Sequence, residues 1–270
     1  MHLLIFDSGI GGLGVVREIR RLQPAARLTY LADNGFFPYG EKPDEALVPR
    51  LTGLLGQAIA ALAPDAVVVA CNTASTIALA ALRAAHPATL FIGCVPPVKP
   101  AAAASVTRHI GVLATAATVR RAYLQDLIDR FAPDCVVHSL GTPSLAALAE
   151  QKFRGGAVDV APAIAPLFAQ ANAAQIDAIA LGCTHYTFLL PEFTALHPQI
   201  KWFDPAGPVA RRVREVTADL PAGAPGPQRA YFTGPVDGAA SMPALLATYG
   251  FMEIRDAAAL VPAYEAARSL

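Results

Sequence analysis

At 270 residues the chain has room for one large α/β domain or two modest ones, each with its own core. Hydrophobic residues make up 54% and charged residues 16%, a balance that favours buried sheet and Ala-rich helices over disorder. Lys+Arg and Asp+Glu are equal at 21 each, so no chain-wide basic field exists to attract nucleic acid or an anionic membrane, and binding must come from a local site.

In chain order, short apolar runs predict strands over 3–6, 28–32, 66–70, 90–94, 109–114, 135–139, 178–181 and 201–203. Helical patterns fall between them, over 12–22, 45–62, 73–85, 116–131, 144–151, 160–171, 189–196 and 208–218. The Gly/Pro-rich stretch 221–227 predicts an exposed loop, and the tail carries helical patterns over 242–249 and 256–270. The first apolar run is ended by Asp7, too early for a signal-peptide core. The most apolar stretch, 54–70, is interrupted by Gln57, Pro64 and Asp65 and cannot serve as a membrane span. A cytoplasmic protein with no membrane segment is expected.

Strands alternating with helices of these lengths predict parallel sheets built from βαβ units. The order also repeats. A strand, a Gly-rich or Thr-rich turn and a helix occur after Ile5 and again after Val112; a strand, a cysteine and a helix occur around Cys71 and again around Cys183. The expected architecture is therefore two similar α/β domains with mainly parallel sheets, facing each other across an active-site cleft. The Pro-rich segment 95–100 and the segment 204–208 supply the crossings, which places one domain at 1–97 plus 208–270 and the other at 98–207.

Cys71 and Cys183 carry the most information. Each follows a buried run and precedes small hydroxyl or amide residues suited to opening a helix, so both thiols are expected at carboxyl ends of strands, where ligands of open α/β sheets bind. A helix N-terminus there lowers a thiol pKa and offers N–H groups to a carboxylate. Cys94 and Cys135, each at the edge of an apolar run, read as ordinary core cysteines. Without CxxC spacing the four resemble neither a disulfide framework nor a zinc site, and no metal is expected. Gly9-Ile10-Gly11-Gly12-Leu13-Gly14 contains GxGxxG, but only Asp33 could serve as the following acid, so it is not a dinucleotide fingerprint and a tight turn capped by Asp7 or Ser8 is the favoured reading. A turn is likewise the plain reading of Pro38-Tyr39-Gly40; its alternative is a rim loop offering N–H groups and the Tyr39 ring.

Five motifs in order, Phe6-Asp7-Ser8-Gly9-Ile10-Gly11-Gly12, Phe37-Pro38-Tyr39-Gly40-Glu41-Lys42, Ala70-Cys71-Asn72-Thr73-Ala74-Ser75, Leu113-Ala114-Thr115-Ala116-Ala117-Thr118-Val119-Arg120 and Leu181-Gly182-Cys183-Thr184-His185-Tyr186, resemble those of the glutamate racemase family. The resemblance spans residue 3 to about residue 210. It implies a cofactor-independent enzyme that interconverts L- and D-glutamate, the D form feeding peptidoglycan synthesis. Carried over by position, it implies that Cys71 and Cys183 are the catalytic thiols. Asp7 is similar to the acid near the first, His185 to the histidine near the second, and Glu150 to a glutamate near the site. Ser8, Pro38, Tyr39, Gly40, Asn72, Thr73, Thr115 and Thr184, with Asp7 and His185, resemble substrate-binding positions. The chain departs from the family pattern at 34–37, at Thr187 and at 232–235, none of them a catalytic position.

Physical reasoning and resemblance meet on proton abstraction α to a carboxylate, with a thiol on each face of the carbon. The expected partner is a small-molecule substrate, glutamate, with no nucleic acid; a homodimer is left open. An aspartate racemase sharing both cysteines, or a binding protein that kept the cleft, are the alternatives.

Overall fold

The structure, a computed structural model, describes residues 1–221, 226–236 and 242–261. The chain opens with β1 (His2–Asp7), α1 (Leu13–Leu22), β2 (Arg27–Ala32), α2 (Asp44–Leu62), β3 (Ala66–Val69), α3 (Asn72–Ala85) and β4 (Phe91–Gly93). It crosses through α4 (Val98–Ala104) into β5 (His109–Ala114), α5 (Ala116–Val119), α6 (Ala122–Phe131), β6 (Val136–Gly141), α7 (Ser144–Phe153), α8 (Ala161–Phe168), β7 (Ala178–Gly182), α9 (Leu190–Leu196) and β8 (Lys201–Phe203). It returns through α10 (Ala206–Val216) to β9 (Arg229–Phe232), α11 (Met242–Thr248) and β10 (Glu253–Asp256).

These strands form two sheets, ordered β10-β9-β2-β1-β3-β4 and β6-β5-β7-β8, with every pairing parallel. Every residue of β1, β3 and β7 is buried, as parallel strands covered by helices on both faces must be. In the first sheet Leu3, Ile5 and Val68 share a core with residues of α1, α10 and α11, whereas Leu4, Phe6, Val67 and Val69 face α2 and α3. In the second, Leu113, Ile179 and Leu181 pack toward α7, α8 and α9, and Ile110, Val112 and Ala180 toward α4 and α6. Each such Leu or Ile contributes on the order of 2 kcal/mol by leaving water.

The two strand orders contain the same device. In the first sheet β1 lies between β2 and β3, so the chain winds one way from β1 and the other way to reach β3; in the second, β5 lies between β6 and β7 in the same manner. Each sheet therefore has a topological switch point, between the carboxyl ends of β1 and β3 and of β5 and β7, and at such points α/β sheets open a crevice.

Several expectations need correction. The helix expected over 116–131 is two helices, broken where Arg121 adopts extended backbone (φ −86°, ψ 140°) and its guanidinium reaches Asp44 and Thr76 on α2 and α3. The Pro-rich crossing holds α4. Strands β9 and β10 were not foreseen: their short, half-polar sequences carry no strand period, and they form because the edge of β2 offers a ladder. Strand β10 also takes the start of the helix expected over 256–270, of which 262–270 lie outside the described residues, as do 222–225 of the expected loop.

Candidate active site

Strand register decides which side chains meet. Phe6 pairs with Val69, which carries Asp7 and Ser8 out beside Ala70 and Cys71; Ala114 pairs with Gly182, which sets Thr115 beside Cys183. Cys71 caps α3, its backbone extended and its Sγ accepting from the Ala74 N–H at 3.5 Å. Thr115 caps α5 in the same way, accepting from the Thr118 N–H at 3.3 Å. Cys183 differs. A 3₁₀ turn, Thr184–Leu189, follows it, its thiol receives no helix N–H, and its neighbour is instead His185 Nδ1 at 4.0 Å.

The two switch points meet at one small cavity, of about 20 Å³, lined by both thiols. Of the expected site residues, Ser8, Pro38, Tyr39, Gly40, Asn72, Thr73, Thr115 and His185 also line it. Asp7, Thr184 and Glu150 stand one layer behind. Thr184 Oγ1 donates to Asp7 Oδ2 at 3.0 Å, linking the two halves directly beneath the cavity, while the Ser8 hydroxyl lies 3.2 Å from Asp7 Oδ1 and 3.8 Å from Cys71 Sγ. Glu150 Oε1 accepts from the Ile10 N–H at 2.9 Å and sits 3.1 Å from His185 Nε2. Packing here is close enough to require glycine: a Cβ on Gly40 would meet Thr115 Cβ at 2.7 Å, and one on Gly9 would strike the Glu150 carboxylate.

The electrostatics are asymmetric. Burial, with the Asp7 carboxylate adding to it, pushes the Cys71 thiol well above its ordinary pKa despite the Ala74 N–H. The helix-end lowering expected from the sequence is therefore outweighed at Cys71. Burial also raises Asp7, although the charge of His185 and the hydrogen bonds from Thr184 and Ser8 oppose it. For His185 burial favours the neutral ring, yet the hydrogen bonds to Cys183 and Glu150 and the Asp7 charge together hold its pKa well above the ordinary value. Burial likewise works against ionisation of Glu150, but the bond and charge of His185, the Ile10 N–H and Arg154 keep it below the usual carboxylate range. His185 and Glu150 form an ion pair on the Cys183 side; on the Cys71 side the Asp7 carboxylate and Ser8 hydroxyl meet an apolar cluster that includes Phe6 and Val69.

Some contributors escaped the sequence. Phe37 and Ala146 line the cavity, and the Phe37 ring lies 5.2 Å from the His185 ring. Asp33, fully buried, accepts from Tyr39 Oη at 2.5 Å, from Arg50 at 2.5 and 2.7 Å and from Thr233 Oγ1 at 2.6 Å, so it anchors the rim loop. Its signal was Arg50, which falls three residues after Leu47 and four before Leu54, on the apolar face of α2. Among the described residues no group of His, Cys, Asp and Glu could hold a metal ion, and no helix is long and apolar enough to cross a membrane.

A family model described as Asp/Glu/Hydantoin racemase matches residues 14–212. The chain is 53% identical over 216 residues to the glutamate racemase of Granulibacter bethesdensis, an alignment spanning 80% of this chain and 78% of that one. It is 47% identical over 214 residues to the glutamate racemase of Brucella anthropi, covering 78% and 77% of the two chains. Among solved structures, that of Escherichia coli glutamate racemase in complex with L-glutamate and the activator UDP-MurNAc-ala is similar with a TM-score of 0.87 and 34% identity, over 94% of this chain and 97% of that one. With two parallel sheets meeting at a shared cavity and relatives this similar along most of its length, the chain belongs to the Asp/Glu/hydantoin racemase family and groups there with the glutamate racemases.

Proposed function

We propose that the protein interconverts L- and D-glutamate without a cofactor, passing the Cα proton between two thiols, and that the D-glutamate it makes supplies peptidoglycan synthesis. One observation carries this reading: Cys71 and Cys183 project from opposite switch points into the same small cavity. The relatives named glutamate racemase support the choice of substrate.

The Cα–H of an amino acid is a very weak acid, so the site must place Cα between two bases and stabilise the charge that develops on its carboxylate. The cavity offers the hydroxyls of Ser8, Thr73 and Thr115 and the Asn72 amide for the substrate carboxylates, and its lining contains no lysine to compete for a thiolate or form a Schiff base. Cys71, with its raised pKa, holds its proton in the resting enzyme. A thiolate at Cys183 has the His185 imidazolium beside it, itself held by Glu150. With L-glutamate, Cys183 removes the proton and Cys71 delivers its own to the opposite face; with D-glutamate the roles exchange. Asp7 acts on Cys71 through Ser8 and on the other half through Thr184.

Racemisation in heavy water without added cofactor tests this. Early product should carry deuterium at Cα while recovered substrate carries almost none, from either enantiomer. Equal early labelling of both pools would overturn the two-thiol mechanism, and turnover of aspartate in place of glutamate would overturn the substrate.

A further inference from the structure

Asn72 lines the cavity and is 1% exposed, yet its amide is only half satisfied. Oδ1 accepts from the Cys94 thiol at 3.2 Å; Nδ2 is buried with no partner among the described residues. An unmet buried donor is destabilising, so an amide free to choose would turn to find a partner. What stops it is the end of β4. The Cys94 N–H donates to Ser75 Oγ at 2.9 Å, and Ser75 Oγ–H donates to the Val69 carbonyl at 2.9 Å, which ties Cys94 to the end of β3 and the first turn of α3.

We propose that Cys94 is a positioning residue for the racemase site: its S–H occupies Asn72 Oδ1 and so keeps Nδ2 as a donor for a carboxylate oxygen of the bound amino acid. The inference rests on the glutamate racemase reading. Burial raises the Cys94 pKa well above its ordinary value, so the thiol keeps its proton and remains a donor. Were the amide reversed, Oδ1 would face the ligand carboxylate and repel it. Cys94 is fully buried among apolar neighbours, so an aliphatic residue would satisfy packing alone; only the hydrogen bond asks for a thiol.

Cys94→Val and Cys94→Ala remove the donor, the first adding a methyl's volume and the second removing the sulfur's, and Cys94→Ser restores one. Losing a neutral hydrogen bond that orients the amide should raise KM for glutamate roughly 3- to 10-fold in both the Val and Ala variants, with kcat within about twofold of the parent, and the Ser variant should recover most of the loss. Asn72→Ala should raise KM at least as far, and adding Cys94→Val to it should raise KM no further. Thermal melting of each variant separates packing from positioning. If Cys94→Val and Cys94→Ala both melt as cooperatively as the parent and keep the parental KM, the inference is overturned while the racemase reading stands. A Ser variant no better than Val overturns it too. Absence of glutamate turnover in the parent protein would overturn the racemase reading itself.

Discussion

The chemistry at residue scale lies in how unlike the two thiols' surroundings are. Cys71→Ala and Cys183→Ala should each lower racemisation by ~10⁴-fold in both directions, because the proposed mechanism makes each thiol base one way and acid the other. Cys135→Ala, at a half-buried position just before β6, should leave kcat/KM within about twofold. A chiral assay on folded variants checks both, and a Cys135 variant as damaged as Cys71 would overturn the assignment. The ion pair beside Cys183 also predicts a pH dependence of stability. His185 has a folded pKa raised above its unfolded value, so its contribution is full below about 6.5 and is lost as pH rises through the folded value. Glu150 is depressed, so its contribution is present above about 4.5 and lost as pH falls through its folded value. The pair is worth most between the two. The urea midpoint of His185→Gln should fall furthest below the parent near pH ~5.5 and approach it as pH rises through the folded value of His185; a constant difference from pH ~5.5 upward would show that the pair is not ionised.

At the scale of elements, the same arithmetic separates two arginines that look alike in sequence. Arg50, on α2, meets an Asp33 that is fully buried, so Arg50→Ala strips a charge partner from the interior and should cost about 3–5 kcal/mol in urea unfolding. Arg121, at the break between α5 and α6, reaches Asp44, which is more than half exposed; Arg121→Ala should change stability by about 0–1 kcal/mol. Midpoints from the same titrations distinguish them, and comparable losses would mean that Asp33 is less dependent on Arg50 than its burial implies. Most elements were legible because parallel strands read as continuous Val, Ile and Leu runs, as in Ala66–Val69 and Ala178–Gly182. The helix break at Arg121 was not, since a helical period continues through it and its cause lies on two other helices.

For the whole molecule, the proposed function makes activity sensitive to how closely the two halves approach. Tyr39–Glu41 forms a short 3₁₀ turn whose Gly40 packs against Thr115 of the second half, and a side chain there must push the two apart. Gly40→Val should raise KM at least roughly tenfold while the melting temperature moves by only a few degrees, because neither core is touched and ~1 kcal/mol shifts Tm by about 2–4 °C at this size. A parental KM in the folded variant would show that closure tolerates the added bulk.

By itself the sequence determined the α/β class, the two-fold repetition of strand, turn and helix, and the placement of Asp7, Ser8, Cys71, Thr115 and Cys183 at carboxyl ends of strands, because hydrophobic runs and cap residues are local properties. Only the tertiary structure decided that β1 and β3, and β5 and β7, are neighbours, which turns four strand ends into two facing switch points. It also decided that burial raises Cys71 while His185 and Glu150 pair beside Cys183, that Asp33 is held by Arg50 and Tyr39, and that Cys94 meets Asn72. Each of these depends on which groups exclude water from one another across long stretches of chain, and neither period nor spacing records that.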